Sequence, residues 1–414
     1  MSASRQRLRL ALLRAFAALS WPLIRRRAPA LPAAPRILLI RPDHVGDLLF
    51  ATPALRALRG ALPDAHLACM VGPWGQAVLA GNPNLDEIIV CEFPAFSRKP
   101  KASLLAPYRL LRAWAVSLRS LRFDMAIVLR FDHWWAALLA YLAGIPSRVG
   151  YDIPECRPFL TQALPYANQR HEVLQNWTLV EQAVKAYRGE AFGSVSSLGP
   201  RISYPGHGSS NQKATWDCLA PTEFAVLPKD QEHIARYLAR GGVTVGQDLI
   251  AIHPGAGAAV KLWQAEAWAQ VADALIHRWR VGIVITGSVD ELDLAWSVYA
   301  RMHADATVAA ADTTLGQLAA VFQRCRVVIG PDCGPLHLAV ATGAPTVHLY
   351  GPVDPVKFGP WGDPEKHLVL TSHRDCIPCN RLDYSAQELP SHPCVREITI
   401  QAVLEAAQRL LERT

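Results

Sequence analysis

Val327–Tyr350 constrains the fold of this 414-residue chain more than any other stretch. Val327–Ile329 is an unbroken apolar run ending at Gly330 and Pro331. Leu336–Ala341 has the length and composition of a short helix, and Thr346–Tyr350 is a second apolar run. Short apolar runs without alternation fit strands buried on both faces, and a helix between two of them fits a crossover connection. The turn in the middle carries chemistry as well as geometry. Gly334 stands where the helix begins, so unpaired backbone N–H groups and the positive end of the helix dipole point into the turn. Such a turn binds phosphate without a metal. Asp332 stands beside it, and a carboxylate next to an anion site is costly unless it holds hydroxyls or balances positive charge. Together they point to a phosphate joined to something polyhydroxylated, with a nucleotide-sugar as the first candidate.

The same pattern recurs along the chain. Ile37–Ile40, His66–Val71, Glu87–Cys91 and Met125–Leu129 are the predicted strands of a first α/β unit, with a helix opened by Thr52-Pro53 and an Arg-rich helix before Met125. A second unit starts near Phe224, with strands at Leu249–His253, Val281–Thr286, Val327–Ile329 and Thr346–Tyr350. Alternation of this kind predicts doubly wound sheets. The expected architecture is two Rossmann-like α/β halves facing each other across a cleft. The expected segments are a basic N-terminal piece (1–35), a first domain (36–188), a linker or loop rich in Gly, Ser, Pro and Asn (189–221), a second domain (222–398) and a C-terminal helix (399–414).

Charge is unevenly placed. Arg5, Arg7, Arg9, Arg14, Arg25, Arg26 and Arg27 fall in the first thirty residues with no acid among them, and they account for the whole net charge of +7. The apolar run Leu10–Ile24 is interrupted by Arg14 and is shorter than the roughly 20 residues that a membrane span needs. The readings are a basic amphipathic helix lying on an anionic membrane surface, the inner face of the cytoplasmic membrane, which is the expectation, or an unstructured or trimmed N-terminus. Nine cysteines, mostly scattered, suit a reducing cytoplasm.

Four further constellations can carry chemistry. Gly46-Asp47 follows the first strand, at the edge where open α/β sheets bind ligands; Asp47 is either a turn or cap residue or a general base for an attacking hydroxyl. His253-Pro-Gly-Ala-Gly257 brings Gly255 and Gly257 to the end of a strand, and Lys261 follows as a point charge suited to a diphosphate, or as a solvated lysine. No Walker lysine and no dinucleotide fingerprint is present. Gly287–Glu291 follows another strand; Glu291, with Asp290 adjacent, can accept ribose hydroxyls or serve as the acidic first turn of a helix. Residues 93–123 hold Arg98, Lys99, Lys101, Arg109, Arg112, Arg119 and Arg122 and no acid. They form either a solvated helix face or, with Arg109, Arg112 and Arg119 on one helix, a surface for an anionic acceptor or lipid headgroups. No nucleic-acid module is visible. Cys376 and Cys379, with Cys394, His373 and His392 nearby, have spacing compatible with a thiolate metal site or with reduced structural thiols.

Taken in order, these loops resemble glycosyltransferase family 9, the heptosyltransferases of lipopolysaccharide core assembly. The resemblance spans roughly residues 36–400. It rests on Arg36–Leu55, on His171-Glu-Val-Leu-Gln-Asn176, on His253–Trp263 and on Gly330–Pro352, with the Cys376/Cys379 cluster as a further shared feature. It implies a GT-B fold and an inverting, metal-independent transfer from a nucleotide-sugar, typically ADP-heptose, to a lipopolysaccharide-core or related anionic glycolipid acceptor, with no cofactor required. By the same resemblance Asp47 matches the catalytic base, Lys261 the diphosphate-contacting lysine and Asp332 the carboxylate holding the donor sugar. The amides of Cys333 and Gly334 match the phosphate-binding turn, Glu291 the ribose-binding acid, and His337 belongs to the same donor loop. Cys333 stands where members usually have Thr or Ser. Two competing classes are an epimerase of the same architecture, which would need no acceptor, and an inactive membrane-associated scaffold.

Overall fold

The computed structural model describes residues 3–24, 31–94, 96, 103, 105–189, 221–244 and 246–413. Most of the expected 189–221 linker, and Arg25, Arg26, Arg27, Arg98, Lys99 and Lys101 from the basic segments, lie outside the described residues. The chain divides into two compact units, Met1–His44 with Ala51–Gly199, and Val45–Phe50 with Pro200–Thr414.

In the first unit, β1 (Arg36–Arg41), β2 (His66–Val71), β3 (Glu87–Val90), β4 (Met125–Val128), β5 (Ser147–Tyr151) and β6 (Gln162–Leu164) form one sheet in the order β3-β2-β1-β4-β5-β6. Every pairing is parallel, with Ile37 opposite Leu67 on one side and Met125 on the other. The unbroken run Ile37–Ile40 is wholly buried, as a central strand covered on both faces must be. Helices fill the crossovers, among them Ala106–Ser120 and Trp134–Leu142.

The second unit has β7 (Leu249–Ile252), β8 (Gly282–Ile285), β9 (Thr307–Val308), β10 (Val327–Pro331), β11 (Thr346–Tyr350) and β12 (His367–Thr371), again all parallel, in the order β12-β11-β10-β7-β8-β9. Each sheet therefore places its first strand beside its fourth, the doubly wound order whose direction reverses at that pair. The switch points lie at β1/β4 and at β7/β10, and the loops leaving those strands are where ligands bind in such sheets.

Two boundaries differ from those read from the sequence. Val45–Phe50 follows β1 but packs with the second unit. Its buried Leu48, Leu49 and Phe50 need an apolar partner, and Gly46 permits a close approach that a side chain would crowd. The C-terminal helix Ile400–Leu411 is part of the second unit's core, to which it gives Val403, Ala406, Ala407, Leu410 and Leu411.

The N-terminal helix Ala3–Ile24 also differs from the expected amphipathic pattern. Leu13 and Ala17 are buried in the core of the first unit, and Arg9 reaches Glu155 at 3.2 Å. The helix is therefore docked on the protein along one face. Among the described residues no helix is long and apolar enough to cross a membrane.

Candidate active site

The site in the second unit is built around the exit of β10. Pro331 ends the strand, Asp332 follows, and Cys333 takes an extended conformation (φ −159°, ψ 165°) that caps the helix Gly334–Ala341. Pro335 sits in the helix's first turn, where its missing N–H costs nothing. Lys261 comes from the loop after β7, where a one-turn 3₁₀ helix (Ala259–Lys261) is pinned by buried Val260 and by Trp263, whose Nε1 donates to the Ile398 carbonyl at 3.1 Å. Lys261 Nζ donates to Asp332 Oδ2 at 2.6 Å and to the Asp332 carbonyl at 3.3 Å. His337, one turn into the helix, brings Nε2 to 3.5 Å from Asp332 Oδ1. Burial alone would raise the Asp332 pKa, but the His337 hydrogen bond and the Lys261 charge outweigh it and hold the carboxyl well below its usual range. Asp332 is thus an anion across the physiological range, with a lysine already on it. Burial pushes the Cys333 thiol up, so it stays protonated at neutral pH.

The segment carrying Asp47 is brought to the same place. A Cβ on Gly334 would lie 3.2 Å from Val45 Cβ and 3.5 Å from Gly46 N, and one on Gly46 would lie 3.1 Å from His337 Cδ2. Two facing glycines let the short helix Val45–Leu49 press against the helix that opens at Gly334. The Phe50 ring meets His337 edge-on at 4.7 Å and closes the contact. Asp47, half-buried, sits on that short helix.

Glu291 reaches the loop after β7. Its Oε2 accepts from Ser288 N and Ser288 Oγ, both at 2.8 Å, and stands 3.9 Å from His253 Nε2. A Cβ on Gly255 would overlap its carboxylate, so any side chain there would push the Glu291 carboxylate aside. Glu291 is therefore a helix-capping residue and a neighbour of the glycine loop at once. Gly257 faces open space.

Three buried histidines surround this site: His253, which opens the glycine loop, and His348 and His367, which sequence reading missed. His253 is buried, its Nδ1 is 3.0 Å from Thr286 Oγ1, and burial lowers its pKa against the pull of Glu291. Behind His337 lie His348 and His367, joined through Thr346 Oγ1 at 2.8 and 2.9 Å. Burial pushes His367 down to about 4 and His348 well below its ordinary value. Histidines inside strands, as His348 and His367 are, give no periodic signal, and only the tertiary fold collects them.

The first unit's switch point is filled by ion pairs. Arg41, at the end of β1, donates Nη1 to Asn176 Oδ1 at 2.9 Å and Nη2 to Glu172 Oε2 at 3.2 Å, and its Nε is 2.7 Å from Asp43 Oδ2. Arg130, after β4, pairs with Asp43 and Asp132. The His171–Asn176 segment therefore clasps the end of the opening strand. Asp43 is driven below its usual range because Arg41 and Arg130 outweigh its burial.

The remaining candidates do not join either cluster. Cys376 and Cys379 are exposed, whereas Cys394 is buried beside Gly351. Cys379 Sγ is 3.6 Å from Tyr384 OH, and among the described residues no set of three or more His, Cys, Asp or Glu is placed to hold a metal. Arg109, Arg112 and Arg119 stand exposed on the first unit's helix Ala106–Ser120.

Comparison with known proteins identifies the family and the fold. The model of glycosyltransferase family 9 (heptosyltransferase) matches residues 111–389. Over 388 residues the chain is 24% identical to lipopolysaccharide heptosyltransferase 2 of Escherichia coli K12, covering 91% of this chain and 98% of that one. The solved family 9 glycosyltransferase of Veillonella parvula has a TM-score of 0.71 at 24% identity, covering 93% of this chain and 100% of that one. The E. coli ADP-heptose LPS heptosyltransferase II has a TM-score of 0.68 at 22% identity, covering 91% and 99%. These structures share the GT-B fold of two Rossmann-like domains found here.

Proposed function

Since the chain belongs to glycosyltransferase family 9, matched over residues 111–389, and is a glycosyltransferase, we propose that it moves heptose from ADP-heptose to a lipopolysaccharide-core or related anionic glycolipid, with inversion and without a metal. The observation that carries this reading is the Lys261–Asp332 pair at the opening of the Gly334 helix, with the Asp47 helix packed on that same helix. Lys261 and the backbone N–H groups at Cys333 and Gly334 supply the positive charge that a departing diphosphate requires. Asp332 and Glu291 accept hydroxyls of the sugar and the ribose. The step is a single displacement. The acceptor oxygen attacks the anomeric carbon as the bond to the diphosphate breaks, ADP leaves with the electron pair, and the acceptor proton passes to the Asp47 carboxylate. A single displacement inverts the anomeric centre. The acceptor is presented at the inner face of the cytoplasmic membrane, and nucleic acid has no part.

The test is transfer from ADP-heptose to a truncated core acceptor in EDTA, with the product anomer read by NMR. Inverted product formed at full rate in EDTA supports the reading. A retained anomer, or transfer only on adding a divalent ion, overturns it. A preference for UDP- or GDP-sugars would overturn the donor.

A further inference from the structure

We propose that two outer helices of the first unit, Ala3–Ile24 and Ala106–Ser120, form one docking surface for an anionic lipid bilayer. The argument starts beneath them. The helix Trp134–Leu142 is apolar all round, and Trp135–Tyr141 are all buried. Such a helix must be covered, and these two flank it. Arg9 lies over the Trp134 ring at 5.6 Å and Ser20 Oγ is 2.9 Å from Tyr141 OH. On the other flank Trp135 Nε1 donates to the Pro107 carbonyl at 3.3 Å, and Arg119 Nη2 donates to the Leu142 carbonyl at 2.7 Å. Both helices therefore run alongside the buried one in the same direction.

Covering that helix uses only one face of each. Leu13 and Ala17 point inward from the first, and Leu111, Ala115 and Leu118 from the second. The first helix has a second apolar stripe at four- and three-residue spacing: Leu8, Leu12, Phe16 and Leu19, with Leu19 80% exposed and Leu8 and Leu12 62% each. Leu105, Tyr108 and Val116 are exposed on or beside the second helix. Seven of the ten exposed large apolar side chains among the described residues thus fall on these two segments. That concentration marks an interaction surface rather than scattered surface apolars.

Charge selects the occupant. Neither helix contains an acid, and Arg7, Arg14, Arg109, Arg112 and Arg119 are exposed on them. A second copy meeting this surface about a two-fold axis would set arginines against arginines. A bilayer offers what both features need, acyl-chain boundary for the leucines and phosphates for the guanidinium groups. The inference deepens the proposed glycolipid acceptor by naming the surface that holds the enzyme where that acceptor lies.

The test is vesicle sedimentation of the full chain without donor or acceptor, on phosphatidylglycerol/phosphatidylcholine and on pure phosphatidylcholine. Preferential binding to the anionic vesicles is expected. Leu12→Glu with Leu19→Glu should lower partitioning by at least about 30-fold with an unchanged melting temperature. Arg109→Ala and Arg112→Ala should each lower it roughly fivefold at low salt. Equal binding to both vesicles, unchanged binding of the leucine variant, or a dimer that the leucine variant dissociates would each overturn the proposal. Transfer to a delipidated acceptor is measured in parallel. Its absence in an enzyme that still binds vesicles would overturn the transferase reading while supporting this one.

Discussion

Lys261 and Asp332 lie 2.6 Å apart with side chains only 14% and 7% exposed, and this pair supports a prediction in which the two partners behave oppositely. Removing one member of a buried pair typically costs about 3–5 kcal/mol, because the other charge is left uncompensated. Asp332 keeps His337 at 3.5 Å, so Lys261→Ala should fall near the lower end, and the second unit should melt roughly 6–12 °C lower. Binding separates the partners further. A carboxylate about 5 Å from a diphosphate charge opposes it by about 3 kcal/mol at an effective dielectric near 20, before salt screening. Asp332→Asn removes that repulsion and releases Lys261, so ADP should bind about tenfold tighter even as transfer falls. Lys261→Ala should weaken ADP by about tenfold or more. Titration calorimetry with ADP on both single variants and the double, at two salt concentrations, measures the coupling. If Asp332→Asn weakens ADP as much as Lys261→Ala does, the lysine is not shared between carboxylate and diphosphate, and the reasoning fails.

Three further outcomes follow from the same geometry. Asp47→Asn should cut transfer by roughly 10²–10⁴ while leaving ADP affinity unchanged, and equal loss of both would make Asp47 a structural residue. Gly255→Ala drives a methyl into the Glu291 carboxylate and should weaken ADP about tenfold; the added loss should vanish in a Glu291→Ala background, and simple additivity would contradict the contact. Acid should destabilise the fold early. Burial lowers His367 from 6.5 to about 4, so below pH 6.5 the unfolded chain takes up the proton first, and stability that is complete above pH 6.5 is lost toward pH 4, by up to about 3 kcal/mol. A melting temperature flat from pH 7 to pH 4 would show that His367 is not held neutral.

The sequence was most legible where one force acts alone. His66–Val71 and Thr346–Tyr350 were placed to the residue because central parallel strands need only be apolar. β5 was missed because Ser147 and Arg148 break the apolar pattern. In the fold the buried Arg148 guanidinium donates to the Ile145 and Phe159 carbonyls, so its charge is accommodated by backbone acceptors, which side-chain pattern does not reveal. The two-residue β9 and the partly exposed β12 leave too little pattern to read. Among site residues, those that announce a backbone requirement, Gly46, Gly255 and Gly334, were visible beside the side chains they position. His348, His367 and the Arg41 clasp were not: Arg41 and His367 draw partners from more than twenty residues away, and His348 meets Thr346 within a strand that reads simply as apolar. The N-terminal helix shows the opposite failure. Its charge pattern was plain, but its second apolar face is meaningful only once the first is seen to be occupied.

The two sheets share one strand order and yet differ at their switch points in the way that matters for binding an anion. In the first unit Arg41, 2% exposed, is enclosed by Asp43, Glu172 and Asn176, and Arg130 is tied to Asp43 and Asp132. The positive charge there is spent on fixing the end of β1 and is flanked by carboxylates. In the second unit Lys261 meets the buried Asp332 carboxylate, the loop after β7 brings glycine backbone forward, and the N–H groups opening the Gly334 helix add partial positive charge. A diphosphate entering the first switch point would have to displace an anion from a buried arginine, at the cost of an uncompensated charge. Entering the second, it needs only to share Lys261. The same topology thus leaves the second switch point better suited to an anion than the first, and the segment Val45–Phe50 that carries Asp47 groups with that second unit.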